Sequence, residues 1–360
     1  MYRINTVRVP SVKGILLSIL FLIISFSVLG SEVEGEKKKF NAGELIGGHI
    51  TDDHEWHIAG HFAIPLPIIL YKPGKGISTS MFHKLAKGEM EGFKLDEHHQ
   101  IVATDGSKFY DFSITKNVFS LFISIALMLW IFLSVAKSYK RRVGQAPKGM
   151  QSFLEPIILF VRDDVAKASI GEKKYKKYMP FLLTVFFFIW INNMMGIFPF
   201  FPGGVNLTGN LAITLTLAVI TFIITTFSAK KTYWRHVFAM PGVPIGVLVL
   251  LTPIEILGVF LRPFVLMIRL FANMLAGHII ILSFFSLIFI FGEMSTGVGY
   301  GVAIFSLAFT VFMTLLELLV AFLQAYVFTL LSAIYFGAAL EEHHHDDESH
   351  DAKVEEAAII

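Results

Sequence analysis

The sequence predicts an all-α polytopic membrane protein: three upright spans, then two long, tilted, antiparallel membrane helices. A cytoplasmic surface helix and a small external N-terminal domain complete it. Three observations point this way. Hydrophobic residues make up 54% of the 360-residue chain, 36 of them Phe, a load typical of polytopic membrane proteins rather than soluble cores. Apolar stretches recur that are long enough to cross about 30 Å of hydrocarbon. Lys and Arg crowd into alternate loops. The net charge of +2 says little about partners, and no nucleic-acid partner is expected. The chain has no Cys, which excludes disulfides and thiol chemistry.

Residues 1–30 read as a signal peptide. Arg3, Arg8 and Lys13 start it, Gly14 to Leu29 form its apolar core, and small residues Gly30 and Ser31 follow. The alternative is an uncleaved anchor, for which the core is short. Residues 31–115 are polar and mixed, with strands expected over Phe62–Tyr71, Gln100–Ala103 and Lys108–Phe112. The membrane part, 116–343, opens with Val118–Ala136, Met179–Pro199 and Leu211–Ala229, each the length of one span. Val243–Phe291 is too long for one upright helix and reads as a hairpin or a strongly tilted helix. Gly301–Ala339 is likewise longer than an upright span. Between the first two spans, Gly149–Lys167 has Phe153, Leu154, Ile157, Ile158 and Val161 at helical spacing, as in a helix lying on the membrane surface. Residues 344–360 form an acidic, His-rich tail that reads as solvated rather than metal-binding.

Loop charge sets the orientation. The loop after the first span carries a run of basic residues from Lys137 to Lys177, and a later one carries Lys230, Lys231 and Arg235. The loops Phe200–Gly209 and Gly292–Tyr300 have no Lys or Arg. The basic loops are expected inside, which puts residues 31–115 outside and the C-terminus inside.

The last two apolar stretches hold few ionisable groups: Glu255, Arg262, Arg269 and His278 in the first, and Glu317 followed by the amide Gln324 in the second. A guanidinium stays charged in any protein, and holding it at membrane depth costs about 2.5–3.5 kcal/mol on insertion scales. Arg269 is therefore the leading functional candidate. Glu255, Arg262 and Arg269 are spaced by seven and share a helix face, as do Glu317 and Gln324. In an antiparallel pair with Arg269 facing Gln324, His278 lies about 13 Å outward and Glu317 about 10 Å outward, nearly level. Nine residues place His278 half a turn out of phase with Arg269, so the two are expected on different faces. A carboxylate on each side of a buried Arg, with a His on one side, suggests two separate proton paths.

These residues resemble a known family, the membrane stator subunit a of rotary F-type ATP synthases. Ile268-Arg-Leu-Phe-Ala-Asn-Met-Leu-Ala-Gly277 is similar to its Arg-Leu-Phe-Gly-Asn-Met core, preceded by Pro253-Ile-Glu-Ile-Leu-Gly258 and Pro263. Leu323-Gln-Ala-Tyr-Val-Phe328 with Tyr335 resembles its last helix, and Tyr178-Met-Pro180 through Asn193-Met-Met-Gly-Ile-Phe-Pro199 its second span. The resemblance runs from about Phe112 to His343. It implies a stator facing a rotor ring of small subunits, whose carboxyls load from one half-channel and discharge into another. Arg269 matches the Arg that separates the two, and Gln324 its polar neighbour. Glu255 would border the cytoplasmic half-channel, and His278 and Glu317 the external one. Asn192, Asn193 and Asn273 are candidate channel-lining groups. The implied partners are the ring, a peripheral-stalk subunit, the lipid bilayer and, indirectly, a soluble ATPase head. No cofactor is implied, and the subunit is not catalytic by itself. The implied location is a bacterial inner membrane. The common bacterial pattern has a carboxylate nine after the Arg and His seven before the Gln, and this chain reverses that pair. Gly196 and Asn210 stand where some members carry aspartates.

Two rival functions are weaker. A proton-coupled secondary transporter usually shows internal repeats, and none is visible. An intramembrane enzyme would need a nucleophile or zinc motif that the sequence lacks. In the external segment His54, His57 and His61 stand at helical i, i+3, i+7 spacing. That pattern reads as a solvated amphipathic segment before a metal site, since no Cys or second carboxylate accompanies it.

Overall fold

The computed structural model describes residues 41–341 apart from 60–61, 97–99, 199–203 and 241. The expected signal peptide and acidic tail lie outside the described residues. Helix α1 (Ala42–Ile50) leads into strands β1 (Glu55–Ala59), β2 (Phe62–Pro65), β3 (Pro67–Lys72) and β4 (Gly76–Met81). Helix α2 (Phe82–Ala86) and strands β5 (Phe93–Leu95), β6 (Ile101–Ala103) and β7 (Tyr110–Asp111) complete the first part. Then come α3 (Lys116–Arg141) and α4 (Met150–Phe160), the latter running on as a π-helix over Val161–Lys167 and a turn over Ala168–Ile170. Helices α5 (Tyr175–Ile197), α6 (Leu211–Ser228), α7 (Lys231–Phe238), α8 (Ile245–Met294) and α9 (Thr296–Leu340) follow. Five of them, α3, α5, α6, α8 and α9, are long and apolar enough to cross a membrane.

The N-terminal part is richer in strand than its sequence suggests. The three expected strand regions are present, and β1, β4 and β5 join them. The sheets pair antiparallel: β1 with β2, β5 with β6, and β3 between β4 and β7. Ile68 and Leu70 on β3 are fully buried against Phe82, Leu85 and Phe93. The helical reading of the His segment is overturned, because Glu55–Ala59 is a strand. Side chains alternate sides along a strand, so i, i+3, i+7 spacing no longer defines one face there. His54 instead stacks on Phe82 at 5.6 Å and lies 3.8 Å from Asp111. His61 is outside the described residues, and among those described no metal-holding cluster forms.

This part is fastened to the membrane helices. The backbone of Lys116 donates to the Asp53 carbonyl at 2.8 Å, and that of Asn117 donates to Asp52 Oδ1 at 3.2 Å. Thr115 caps α3 by accepting from Val118 N. Helix α1 packs on α8.

Of the two readings of Val243–Phe291, the single helix is observed. Helix α8 runs unbroken for 50 residues, about 75 Å at the usual rise. Pro253 and Pro263 lie inside it, each deleting one backbone bond and favouring a bend. Helix α9, with 45 residues, packs antiparallel along it. Only a tilt or curve fits such lengths into about 30 Å of hydrocarbon. The central core is aromatic: Phe186, Phe187, Trp190 and Phe322 pack ring against ring where α5 meets α9. At the opposite end of α9, Lys174 Nζ donates to the Leu340 carbonyl at 3.2 Å, and Lys230 N to that of Ala339 at 3.0 Å.

Two packing features generate predictions. A Cβ on Gly337 would sit 2.0 Å from the backbone carbonyl oxygen of Ser169. That atom cannot rotate aside, so Gly337→Ala should push α9 off the turn after the π-helix. Overpacking of this kind costs about 1–3 kcal/mol, and thermal unfolding of the detergent-solubilised chain should register it, with Ala338→Gly as a mild comparison. In the N-terminal part, the nearly buried Lys72 ammonium pairs with Asp105. That contact, with help from the Ser107 hydroxyl, holds the Asp105 carboxyl well below the usual carboxylate range. A depressed carboxylate contributes stability above its unfolded pKa and loses it as pH falls through the folded value. Protease resistance of the N-terminal part in the full chain should therefore weaken below about pH 4. Asp105→Asn should weaken it at neutral pH and flatten that acid dependence.

Candidate functional site

The site is built where α8 and α9 face each other. Apolar contacts set the register. Leu266, Leu270 and Met274 of α8 and Ala321, Ala325 and Phe328 of α9 are buried. Two polar pairs punctuate this seam. Asn273 Nδ2 donates to Gln324 Oε1 at 2.9 Å. One level nearer the C-terminal end of α8, His278 Nδ1 lies 2.8 Å from Glu317 Oε1. His278 and Glu317 are thus level, but the residue that meets Gln324 is Asn273, four positions from Arg269; His278 turns into the seam, while Arg269 is exposed on an open face of α8.

The His278–Glu317 contact is an ion-pair approach rather than an aligned hydrogen bond, since Oε1 has no hydrogen-bonding partner. The imidazole has two further acceptors within reach. Nδ1 lies 3.2 Å from the Met274 carbonyl, and Nε2 lies 3.3 Å from the Gly196 carbonyl of α5. A proton on either ring nitrogen has somewhere to point. Glu317 is 7% exposed and packs close over Gly277: a Cβ there would sit 2.8 Å from Glu317 Oε1.

A third element closes this layer. The short turn Leu207–Gly209 is capped by Asn206, whose Oδ1 accepts from Gly209 N. Asn206 Nδ2 donates to the Met274 carbonyl at 3.1 Å, the same oxygen that His278 approaches. Thr208 Oγ1 donates to Asn193 Oδ1, and Asn193 Nδ2 reaches the Ala321 carbonyl of α9 at 3.2 Å. Asn193 is therefore knitted to the layer that holds Glu317. Asn192, also buried, bonds back to Phe188 of its own helix and does not join this network. Asn206, Thr208 and Gly277 are the members that sequence reasoning missed. Their signal is faint, because a loop Asn and a helical Gly gain meaning only once α5, α8 and α9 are placed together.

Toward the other end of α8, Arg262 is half-buried. Its Nη1 donates to the Tyr233 hydroxyl at 3.3 Å, and its guanidinium stands 5.7 Å over the Tyr335 ring. Thr221, Thr225 and Pro263 line a small cavity beside it. Glu255 is half-buried two turns further on, about 21 Å along the helix from Arg269. It is not brought to the His278–Glu317 layer. Arg269 has no hydrogen bond or ion pair among the described residues, and its field reaches Tyr335.

A family model described as ATP synthase A chain matches residues 118–337, the span that holds every group above. A second, described as a domain of unknown function (DUF8433), matches residues 45–119. The ATP synthase subunit a of Chloroherpeton thalassium is 41% identical over 278 residues, covering 71% of this chain and 80% of the relative. That of Chlorobium phaeobacteroides is 36% identical over 362 residues, covering 97% and 99%. The Myxococcus xanthus subunit is 38% identical over 295 residues, covering 80% and 93%. With the match running through the helices that carry Arg269, His278, Glu317 and Gln324, the chain belongs to the ATP synthase subunit a family.

Proposed function

We infer that this chain is the proton-translocating stator subunit of an F-type ATP synthase, a multi-pass membrane protein that works in a complex and is not catalytic by itself. In finer detail, it offers two offset half-channels to carboxyls on a rotor ring, and Arg269 keeps them apart. One observation supports this most: a permanent charge at the middle of α8 faces outward with no partner among the described residues. Charge at that depth demands a counter-charge from outside the chain. A ring carboxylate passing the open face of α8 supplies one.

The rest of the site takes its role from its position. A carboxyl arriving protonated meets the Arg269 field, which favours its ionised form. The released proton leaves on the Glu255 side, toward the cytoplasm. Once past Arg269, the carboxylate is reloaded on the external side, where the His278–Glu317 pair hands protons inward. Asn273 holds Gln324 in the seam, beside the Arg269 face. Asn193, through Thr208 and the Ala321 carbonyl, stiffens the external layer; Asn192 has no part in it. The peripheral stalk and, through it, the soluble ATPase head complete the assembly, in a bacterial inner membrane. A proton-coupled transporter would need a substrate pocket at the midplane; the seam is filled there by Asn273, Gln324, Leu270 and Met274.

Arg269→Ala should abolish ATP-driven pumping and proton-driven synthesis in membrane vesicles while the complex still assembles on a native gel. Without the fixed charge the ring carboxyl stays protonated in apolar surroundings, and rotation no longer forces exchange. Lys should rescue poorly, because it can lose its charge when desolvated and lacks the planar fork. An assembled Arg269→Ala complex pumping near the wild-type rate would overturn the assignment.

Orientation has its own test. The basic loops place Lys94 outside and Glu172 inside, and both are exposed. Cys at Lys94 should react with an impermeant thiol reagent in spheroplasts, and Cys at Glu172 only in inverted vesicles. The opposite pattern would exchange the two half-channels.

A further inference from the structure

The N-terminal part turns one face of its three-stranded sheet away from its own core. Alternate residues along a strand point to opposite faces. On β3, Ile68 and Leu70 point inward, onto Phe82, Leu85 and Phe93, so Ile69 and Tyr71 point outward. Residues directly opposite each other in a ladder share a face. The register sets Tyr71 opposite both Ile77 and Tyr110, and Pro67 opposite Met81. The Phe112 backbone donates to the Ile69 carbonyl at 2.9 Å, two residues on from Tyr110, and so extends the same face. Tyr71 and Tyr110 stack with their rings 6.3 Å apart. Tyr71, Ile77, Met81, Tyr110 and Phe112 are all exposed, Ile77 at 70% and Phe112 at 64%. None of these positions carries a charge. An antiparallel sheet with one face on a core ordinarily gives its other face to polar side chains. Here Thr79, opposite Ile69, is the polar exception in an aromatic and aliphatic surface.

This sheet is tied to a membrane helix without slack. After Phe112, the Ile114 backbone donates to the Pro67 carbonyl at 3.1 Å, and Thr115 already caps α3. The Trp56 ring of β1 meets Phe119 of the first turn of α3 edge-on at 5.6 Å. Three residues of chain reach at most about 10 Å, and the polar layer on each side of the hydrocarbon is about 5–8 Å thick. Phe112 is thus held close to the headgroups that surround the start of α3. Tyrosine rings gather at that level in membrane proteins, because one end is apolar and the other wet. At the far rim of the face, beyond Tyr110 and Ile77, stand the exposed Lys108 and Lys75. Long basic side chains of this kind lie along apolar surface and put their ammonium groups among lipid phosphates.

We propose that the Tyr71–Ile77–Met81–Tyr110–Phe112 face is a lipid-binding surface, by which the N-terminal part lies on the bilayer beside α3. The occupant is the lipid surface itself. Sheet, core and bilayer then form three layers, with the apolar face against lipid and the Phe82, Leu85 and Phe93 side above it. The same part carries α1, which packs on α8, so seating it on lipid braces α3 and α8 against each other. This surface is independent of the Arg269 chemistry and stands or falls apart from it.

The chain's lack of Cys makes the test clean. Thr79→Cys places a thiol on the face without removing an apolar group. Lys87→Cys and Lys94→Cys place it on exposed positions beyond the core. Each variant carries a small fluorophore, and the whole complex is reconstituted in vesicles of phosphatidylcholine and phosphatidylglycerol. Part of the phosphatidylcholine bears a nitroxide quencher, on the headgroup or high on the acyl chain. The fluorophore at 79 should be quenched several-fold more strongly than those at 87 and 94, and should be shielded from aqueous iodide. Adding Ile77→Asp with Tyr110→Asp should bring quenching at 79 down to the level of 87 and 94. Both residues are exposed, so the fold tolerates the change. Equal quenching at all three positions, with iodide reaching 79 freely, would overturn the proposal. Shielding from iodide without nitroxide quenching would overturn it too, since another chain would then cover the face. Strong quenching that survives both aspartates would show that the apolar contact is not what holds the sheet to lipid, and would also overturn it.

Discussion

The seam between α8 and α9 is the contact on which the rest of the membrane part depends. Two helices of 50 and 45 residues are too long to stand upright in a bilayer. Lying alongside each other, they share one buried apolar face and leave another open. Leu266, Leu270 and Met274 set the register, and that register brings Asn273 to Gln324 and His278 to Glu317. A slip of one residue would turn each of these groups by about 100° and strand them in hydrocarbon. The polar pairs thus check the register as much as they depend on it.

The open face explains why Arg269 can be exposed in this chain. Inside the seam a guanidinium would find carbonyls already committed to the helix and no free carboxylate, since Glu317 is taken up by His278. Nine residues of helix carry Arg269 half a turn from His278, so the chain separates the exposed charge from the buried pair. Arg262 shows the opposite solution. It takes a hydrogen-bond acceptor from Tyr233 and a ring face from Tyr335 within the chain.

Much of this is legible in the sequence because membrane depth leaves so few choices. Run length locates the five long helices, and the rarity of charge within them picks out Arg269, His278, Glu317 and Glu255. Helical rise even predicts which groups are level. What the sequence does not carry is how elements distant along the chain meet. Asn206 and Thr208 sit in a short polar turn that no periodicity marks, and they matter only because that turn packs on α5 and α8. Whether Val243–Phe291 is one helix or two is equally hidden, because Pro253 and Pro263 are compatible with a hairpin or with a bent continuous helix. The strands of the N-terminal part are half visible, since β1 carries His57, whose spacing from His54 and His61 mimics a helix.

Gly277 links the reversed His–carboxylate pair to the backbone. A carboxylate on α8 at residue 278 would project from the wall that α5 covers, where the Gly196 carbonyl approaches. Two facing carbonyl oxygens, from Gly196 and Met274, suit a group with N–H donors and repel an acceptor-only carboxylate. Histidine therefore belongs at 278 in this chain. The carboxylate then comes from α9, and it reaches the imidazole across Gly277, where a Cβ would press on the Glu317 carboxylate. Gly196, His278, Gly277 and Glu317 form one mutually dependent set.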